Sequence, residues 1–264
     1  MRKFCVIGNP VSHSLSPTIH KLFAQQAGIE LEYHKVLSHD FVTTVNEFKH
    51  NGGLGANVTV PFKEQAYQYA DSNSTAALTA RAVNTLYFKN NTTFGDNTDG
   101  AGLIKDLTEI LNLKLNNKTV LVLGAGGATR GILAPLLQQK VKITLANRTL
   151  SKAQGLAQEF HQYGNILPSS LNDISGVFYL IINATASSLS GQALDINPKV
   201  LHANTVCYDL MYSQKDTLFM HWARQNGAKL VVDGLGMLVA QAALSFSLWN
   251  DFMPNIKAVI KKLR

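Results

Sequence analysis

A short apolar run, Thr119-Val120-Leu121-Val122-Leu123, leads directly into Gly124-Ala125-Gly126-Gly127-Ala128-Thr129-Arg130-Gly131 and then into a helical pattern lasting through Gln139. Few features restrict a fold as tightly as strand, glycine turn and helix in immediate succession. A continuously apolar strand is buried on both faces, which calls for helices on either side of a parallel sheet. Glycines let the backbone turn sharply and approach a pyrophosphate, whose charge the free N–H groups and dipole of the following helix stabilise. The third glycine of the strict fingerprint falls on Thr129. The flanking strand and helix make a dinucleotide site the better reading, with an ordinary tight turn as its competitor.

The same alternation runs through the chain. Strands are expected at residues 3–8, 32–37, 56–60 and 83–88, and again at 119–123, 141–146, 177–182, 205–209 and 229–232. A helix follows the first strand: Ser16 is positioned to cap it, Pro17 suits its first turn, Ile19, Leu22, Phe23 and Ala27 share a face, and Gly28 ends it. Further helices are expected at 149–163, 237–251 and 254–263. The pattern is that of an α/β protein with parallel sheets, and its later part has the order of a doubly wound nucleotide-binding domain. The polar, glycine-rich stretch Gly95-Asp96-Asn97-Thr98-Asp99-Gly100 marks the boundary. The division expected is residues 1–100, with 237–264 packing back on them, and residues 101–236. A cleft between two such domains is a common place for ligands.

Composition narrows the function classes. Of 264 residues, 46% are hydrophobic and 16% charged, a globular balance that excludes a disordered or fibrous chain. Cys5 and Cys207 are too few and too far apart for a disulfide framework or a four-cysteine metal site, so a reducing, cytoplasmic setting is expected, with both thiols serving as small buried side chains. No apolar run reaches membrane-spanning length. The net charge of +7 is spread along the chain, apart from Lys257, Lys261, Lys262 and Arg264, which read as the solvated face of a last helix. No aromatic and basic residues interleave as in RNA-binding modules, so neither nucleic acid nor membrane is an expected partner. A mild positive field favours small anions. His13, His20 and His34 lack motif partners and read as structural, and no metal site is expected.

The strand after the glycine turn selects the nucleotide. NAD-binding domains usually place an acid about twenty residues past the glycines to bind the ribose 2′-hydroxyl. Here that segment is Asn147-Arg148-Thr149, with no carboxylate to repel a phosphate. Arg148 offers a planar guanidinium that can pair with a 2′-phosphate, and Lys152 adds charge one turn on. The reading is NADP, against the plainer one in which Arg148 is a surface arginine and Thr149 a helix cap.

The first hundred residues hold three polar clusters: Gly8-Asn9-Pro10-Val11-Ser12-His13-Ser14-Leu15-Ser16-Pro17; Asn57-Val58-Thr59-Val60-Pro61-Phe62-Lys63, with Asn57 and Thr59 on one strand face; and Asn84-Thr85 with Asp96-Asn97-Thr98-Asp99-Gly100. A substrate carrying several hydroxyls needs many such neutral donors and acceptors, and hydroxyls beside a helix N-terminus can hold its carboxylate. Taken singly, Lys63 reads as a surface lysine, Asp99 as the cap of a helix at Gly100, and Ser16 as an N-cap.

Taken together, in order and over nearly the whole chain, Ser14-x-Ser16-Pro17, Asn57-Val58-Thr59-Val60-Pro61-Phe62-Lys63, Ala82-Val83-Asn84-Thr85, Gly95-Asp96-Asn97-Thr98-Asp99-Gly100, the glycine turn, Asn147-Arg148-Thr149 and Asp233-Gly234-Leu235-Gly236-Met237-Leu238-Val239-Ala240-Gln241-Ala242 resemble the shikimate dehydrogenases. The resemblance implies an N-terminal α/β substrate domain with a mixed, mainly parallel sheet, joined to a Rossmann-like NADP domain. It implies reversible NADPH-dependent reduction of 3-dehydroshikimate to shikimate in aromatic amino-acid biosynthesis, by a monomer or homodimer. On the matching positions, Ser14 and Ser16 would hold the substrate carboxylate. Thr59, Asn84, Asp99 and Gln241 would bind ring hydroxyls, and Lys63 would stand beside the reacting oxygen, with Asp99 as its partner. Gly124, Ala125, Gly126, Gly127, Ala128, Asn147, Arg148, Thr149 and Lys152 would hold the cofactor. Asn183, Ala184, Thr185, Leu210, Tyr212 and Gly234 would line the nicotinamide and substrate side.

The chain departs from the family pattern at Arg81, where glycine is frequent, and at Ala186-Ser187-Ser188, where Ser-Ser-Gly is usual. Three other readings compete: a quinate/shikimate dehydrogenase using NAD, against which Arg148 weighs; a non-catalytic nucleotide-sensing homologue, which would be expected to lose the Lys63 and Asp99 pair; and a glycine-turn oxidoreductase for another substrate, which would not need the polar loops of the first domain.

Overall fold

The computed structural model describes residues 1–185, 195–213 and 215–264, which divide into two compact units. One comprises Met1–Leu103 with Leu238–Arg264, the other Ile104–Met237. Among the described residues, no helix is long and apolar enough to cross a membrane.

In the first unit the chain runs through β1 (Arg2–Gly8), α1 (Ser16–Ala27), β2 (Leu31–Leu37), α2 (Phe41–His50), β3 (Gly53–Val58), α3 (Lys63–Tyr69), β4 (Ser72–Asn73), α4 (Thr75–Ala80), β5 (Thr85–Lys89), β6 (Thr92–Asp96) and α5 (Asp99–Lys105). The sheet order is β2-β1-β3-β5-β6-β4. β1 pairs in parallel with both β2 and β3, and β4 with β6, whereas β3–β5 and β5–β6 are antiparallel, so the sheet is mixed. Ile7, Phe41, Val58, Phe62 and Leu86 share its core.

Helix α1 ends as the sequence dictates, with Gly28 at φ 65° donating its N–H to the Ala24 carbonyl. Its start differs from expectation. Leu15 occupies the cap and Ser16 is the first helical residue, so the Ser16 hydroxyl is not an N-cap. The buried face also rotates to include His20 and Ala24, with Leu22 and Ala27 only half-buried.

Four elements of this unit escaped the strand-and-helix pattern. Helix α2 is capped by Asp40, whose carboxylate accepts from the Val42 and Thr43 amides at 3.1 and 3.4 Å. Strand β6 follows β5 through Asn90-Asn91, both at positive φ, the turn that matches the twist of a two-residue hairpin. The others are the two-residue edge strand β4 and helix α4, capped by Ser74, whose hydroxyl accepts from the Ala77 amide at 3.1 Å.

The second unit contains β7 (Thr119–Leu123), α6 (Gly127–Gln138), β8 (Lys142–Ala146), α7 (Leu150–Phe160), β9 (Asn165–Ser169), β10 (Leu180–Asn183), β11 (Val206–Asp209), α8 (Leu218–Gln225) and β12 (Leu230–Val232). Every pairing in its sheet is parallel, and the order is β12-β11-β10-β7-β8-β9. This is the doubly wound arrangement, with β7 at the point where strand order reverses and where such sheets bind ligands. Leu121, Leu123, Ile181, Cys207 and Phe219 pack in its core. Truncating a buried leucine such as Leu121 to alanine would cost about 2–5 kcal/mol. The edge strand β9 and helix α8 went unread in the sequence. The chain closes with α9 (Leu235–Asn250) and α10 (Ile256–Leu263), of which residues 238 onward belong to the first unit.

Candidate active site

The polar residues of the first unit meet because three short segments are fixed against one another. Strand β3 ends at Val58, so Thr59 lies just beyond it rather than on it, with its amide bonded to the Ile7 carbonyl at 2.9 Å. Four residues on, Lys63 opens α3, and its carbonyl accepts from the Val83 amide at 2.8 Å. Asn84 stands between β3 and β6: its carbonyl accepts from Val58 N at 2.8 Å and its amide donates to Asp96 O at 3.0 Å. Backbone bonds therefore deliver Thr59, Lys63 and Asn84 to one place, although they are separated in sequence.

At that place the Lys63 ammonium lies 2.6 Å from Asp99 Oδ2. The other carboxylate oxygen, Oδ1, accepts from Asn84 Nδ2 at 2.9 Å. Asp99 is therefore not a helix cap. The Asn97 side chain takes the Asp99 amide at 3.1 Å and leaves the Asp99 carboxylate to its two partners. Asn84 Oδ1 accepts from the Thr98 amide at 2.9 Å, which fixes the amide orientation and points Nδ2 at Asp99 and at Gln241 Oε1, 3.2 Å away. Gln241 comes from α9, which approaches α5 closely at Gly102, where a Cβ would stand 2.7 Å from the Gln241 backbone nitrogen. The Lys63 and Asp99 side chains remain 30% and 14% exposed, so the pair is screened by water and its value is positional rather than stabilising. An ammonium held beside a carboxylate in reach of solvent can give a proton to a substrate oxygen, and the amine that results can take one back.

Ser14 lies on the loop after β1, and Ser16 opens α1 at the end of that loop. Ser14 Oγ donates to Ser16 Oγ at 3.1 Å and accepts from the Ser16 amide at 3.2 Å. The loop is pinned by Lys35, whose ammonium donates to Ser12 O at 2.5 Å, and by the Asn9 amide, which donates to Val60 O at 2.9 Å and so ties this loop to the one carrying Thr59. Arg81, the departure from the family pattern, sits at φ 49° as the residue ending α4, the conformation in which glycine costs least.

The second unit has a site of a different kind. Gly124 turns at φ 101°, and a Cβ there would come within 2.9 Å of Thr185 Cγ2. Gly126 and Gly127 face open space, with nothing within 4 Å of where a Cβ would be. Helix α6 starts at Gly127 without any side-chain cap, so its first N–H groups point outward unclaimed, which is what a pyrophosphate requires. Thr129, in the place of the third glycine, is fully buried and closes the turn by donating to Gly124 O at 2.8 Å.

Asn147 Oδ1 accepts from the Ala125 amide at 3.2 Å, and its Nδ2 donates to Thr149 O at 2.9 Å, stitching the glycine turn to the loop after β8. Thr149 holds the cap position of α7, yet its side chain makes no capping bond. Arg148 and Lys152 are exposed beside this turn, and neither takes part in an ion pair among the described residues. The group that fits this set carries both a pyrophosphate and a further phosphate near Arg148.

Two features here had no sequence signal. Arg130 grips Glu159 with two bonds of 2.6 and 2.7 Å, bracing α6 against the helix that carries Lys152. Asn183 is fully buried, its Nδ2 3.2 Å from Asp209 Oδ1 and its Oδ1 accepting from Thr185 N and Oγ1. The Asn183 side chain is therefore held inside the unit, and it places Ala184 and Thr185, which are half-buried. Leu210 N donates to Asn183 O at 2.9 Å, and Gly234 packs on Leu210, where a Cβ would stand 2.7 Å from its carbonyl carbon. Tyr212 is half-buried in the same region. Ala186, Ser187 and Ser188 lie outside the described residues.

Three family descriptions match successive parts of the chain: Shikimate dehydrogenase substrate binding domain over residues 6–86, Shikimate / quinate 5-dehydrogenase over 106–191, and Shikimate 5'-dehydrogenase C-terminal domain over 234–264. A shikimate dehydrogenase (NADP(+)) of Vesicomyosocius okutanii is 48% identical over 100% of both chains. One of Pasteurella multocida is 49% identical over 99% of both. Among solved structures, shikimate 5-dehydrogenase of Thermus thermophilus in complex with NADP(H) and shikimate superposes with a TM-score of 0.86 at 30% identity, covering 99% of this chain and 98% of that one.

Proposed function

The chain belongs to the shikimate dehydrogenase family, and we propose that it catalyses the reversible NADPH-dependent reduction of 3-dehydroshikimate to shikimate, a step toward the aromatic amino acids. The observation that carries this reading is the Lys63–Asp99 pair at 2.6 Å, with Asn84 fixed on the second carboxylate oxygen. In this assignment the first unit binds the acid and the second binds the dinucleotide.

When bound, NADPH would supply the hydride that becomes the new C–H bond. As the ketone is reduced, negative charge grows on its oxygen, and the Lys63 ammonium gives that oxygen its proton. In the reverse direction the Lys63 amine takes the hydroxyl proton. Asp99 holds the ammonium in register and accepts from a ring hydroxyl. Thr59, Asn84 and Gln241 read the remaining hydroxyls, and the Ser14 and Ser16 hydroxyls donate to the substrate carboxylate. Glycines 124, 126 and 127, with Ala125 and Ala128, take the pyrophosphate, and Arg148 with Lys152 takes the 2′-phosphate. The two free cysteines, both buried, suit an enzyme of the cytoplasm.

Nicotinamide absorbance tests the assignment directly. Purified protein with shikimate or quinate, and NADP or NAD, gives four combinations. Shikimate with NADP is expected to be turned over most efficiently. A preference for quinate or NAD would overturn the substrate or cofactor half of the reading.

A further inference from the structure

Beneath Asn84 lies a buried polar chain with a defined direction. Tyr33 donates its hydroxyl proton to Asn57 Oδ1 at 2.7 Å. That bond turns the Asn57 Nδ2 toward the other side, where it faces Asn84 O at 3.2 Å, Thr85 Oγ1 at 3.2 Å and Ser245 Oγ at 3.0 Å. Thr85 Oγ1 in turn lies 2.9 Å from Asn84 Oδ1 and 2.7 Å from Ser245 Oγ. Asn84 is the residue whose Nδ2 reaches Asp99. The chain therefore runs from Tyr33 to the Lys63–Asp99 pair through Asn57, Thr85 and Asn84.

We propose that Tyr33 is a positioning residue for shikimate: through Asn57 and Thr85 it braces Asn84, whose side chain faces Asp99. This rests on the site assignment above. Tyr33 has one hydroxyl proton, and Asn57 is 6% exposed, so its Oδ1 has no easy substitute in water once that donor is gone. Burial holds the Tyr33 pKa well above its ordinary value, which keeps the hydroxyl protonated and therefore a donor.

The Tyr33 ring is held from behind. His20 stacks on it at 4.3 Å with planes 11° apart, and is itself enclosed by Phe23, Phe246 and Trp249. His20 is fully buried, and although Asn57 is near enough to act on it electrostatically, neither ring nitrogen makes a sound hydrogen bond. Burial lowers its pKa to about 3, so it stays neutral and serves as a flat platform.

Tyr33→Phe keeps this stacking and removes only the hydroxyl. With the full chain and steady-state kinetics, the shikimate KM is expected to rise about tenfold, with the NADP KM within about twofold and the melting temperature lowered by a few degrees, as one unpaired buried acceptor costs. An unchanged shikimate KM overturns the proposal, and so does an equal rise in both KM values, which marks general loosening. Asn57→Ala and the Tyr33→Phe/Asn57→Ala double variant add a second reading. If Tyr33 acts through Asn57, the double variant is no worse than Asn57→Ala alone, whereas multiplied effects overturn the coupling. Asn84→Ala separates the two levels of argument. If it raises the shikimate KM and Tyr33→Phe does not, only Tyr33 loses its role. If Asn84→Ala also has no effect, the site assignment falls with it.

Discussion

The polar site of the first unit and the glycine-turn site of the second are built on opposite principles. In the first unit nearly every polar side chain already has a partner: Lys63 with Asp99, Asp99 with Asn84, Asn84 with Thr98 and Gln241. In the second, Gly126 and Gly127 face empty space, α6 starts uncapped, and Arg148 and Lys152 stand exposed. The difference follows from what each must recognise. A small ring with several hydroxyls is distinguished by directional bonds, which need donors and acceptors fixed beforehand. A dinucleotide phosphate presents concentrated charge, which backbone N–H groups and free cations satisfy with less geometric demand.

If that contrast is right, substitutions in the first unit should strike turnover and shikimate binding, and those in the second should strike the cofactor alone. The largest effect is expected from Lys63→Ala. It removes the proton donor and should lower kcat by about 10²–10⁴-fold with a smaller change in shikimate KM. An unchanged turnover number takes Lys63 out of the chemistry. Asp99→Asn comes next. It places an amide where both Lys63 and Asn84 donate, so turnover should drop and shikimate KM should rise, each by about tenfold or more; near-normal kinetics would leave Asp99 no role beyond the start of α5.

Across the divide, Arg148→Asp should raise the NADP KM by about 10–100-fold, the scale of a charge-assisted contact, while changing NAD far less. Equal losses with both nucleotides would remove Arg148 from 2′-phosphate recognition. Asn147→Ala is the smallest and the sharpest. It unties the glycine turn from the Arg148 loop without touching a phosphate charge, so both nucleotides should weaken together, by about threefold to tenfold, with shikimate KM unmoved. A shift confined to NADP would mean that Asn147 touches the 2′-phosphate side rather than shaping the turn.

The glycine turn was legible because its demands are local. A strand of five apolar residues, a turn without side chains and a helix start can be recognised from adjacent residues, and β7 and α6 lie where that reading puts them. Asn147 and Arg148 were found by counting from it. The substrate side was legible only as separate clusters. Lys63 alone reads as a surface lysine and Asp99 alone as a cap, and the resemblance to a family, not spacing, joined them. Ser16 was misread as an N-cap because residue type cannot tell the cap from the next position, and Leu15 took the cap instead. Asn183 stood in a recognisable motif, yet its depth beside Asp209 depends on how β10 and β11 pair.

By itself the sequence determined an α/β chain with a parallel, doubly wound half, a dinucleotide turn at its first strand and a cationic loop one strand later, since each depends on hydrophobic period, glycine placement or charge close by in the chain. Tertiary structure alone decided which way the Asn84 amide points, that Asp99 faces Lys63 rather than its own helix, and that Tyr33 and His20 stand behind them. Those outcomes depend on hydrogen bonds and ring contacts between residues far apart in sequence, whose partners are set only when the strands have been brought into register.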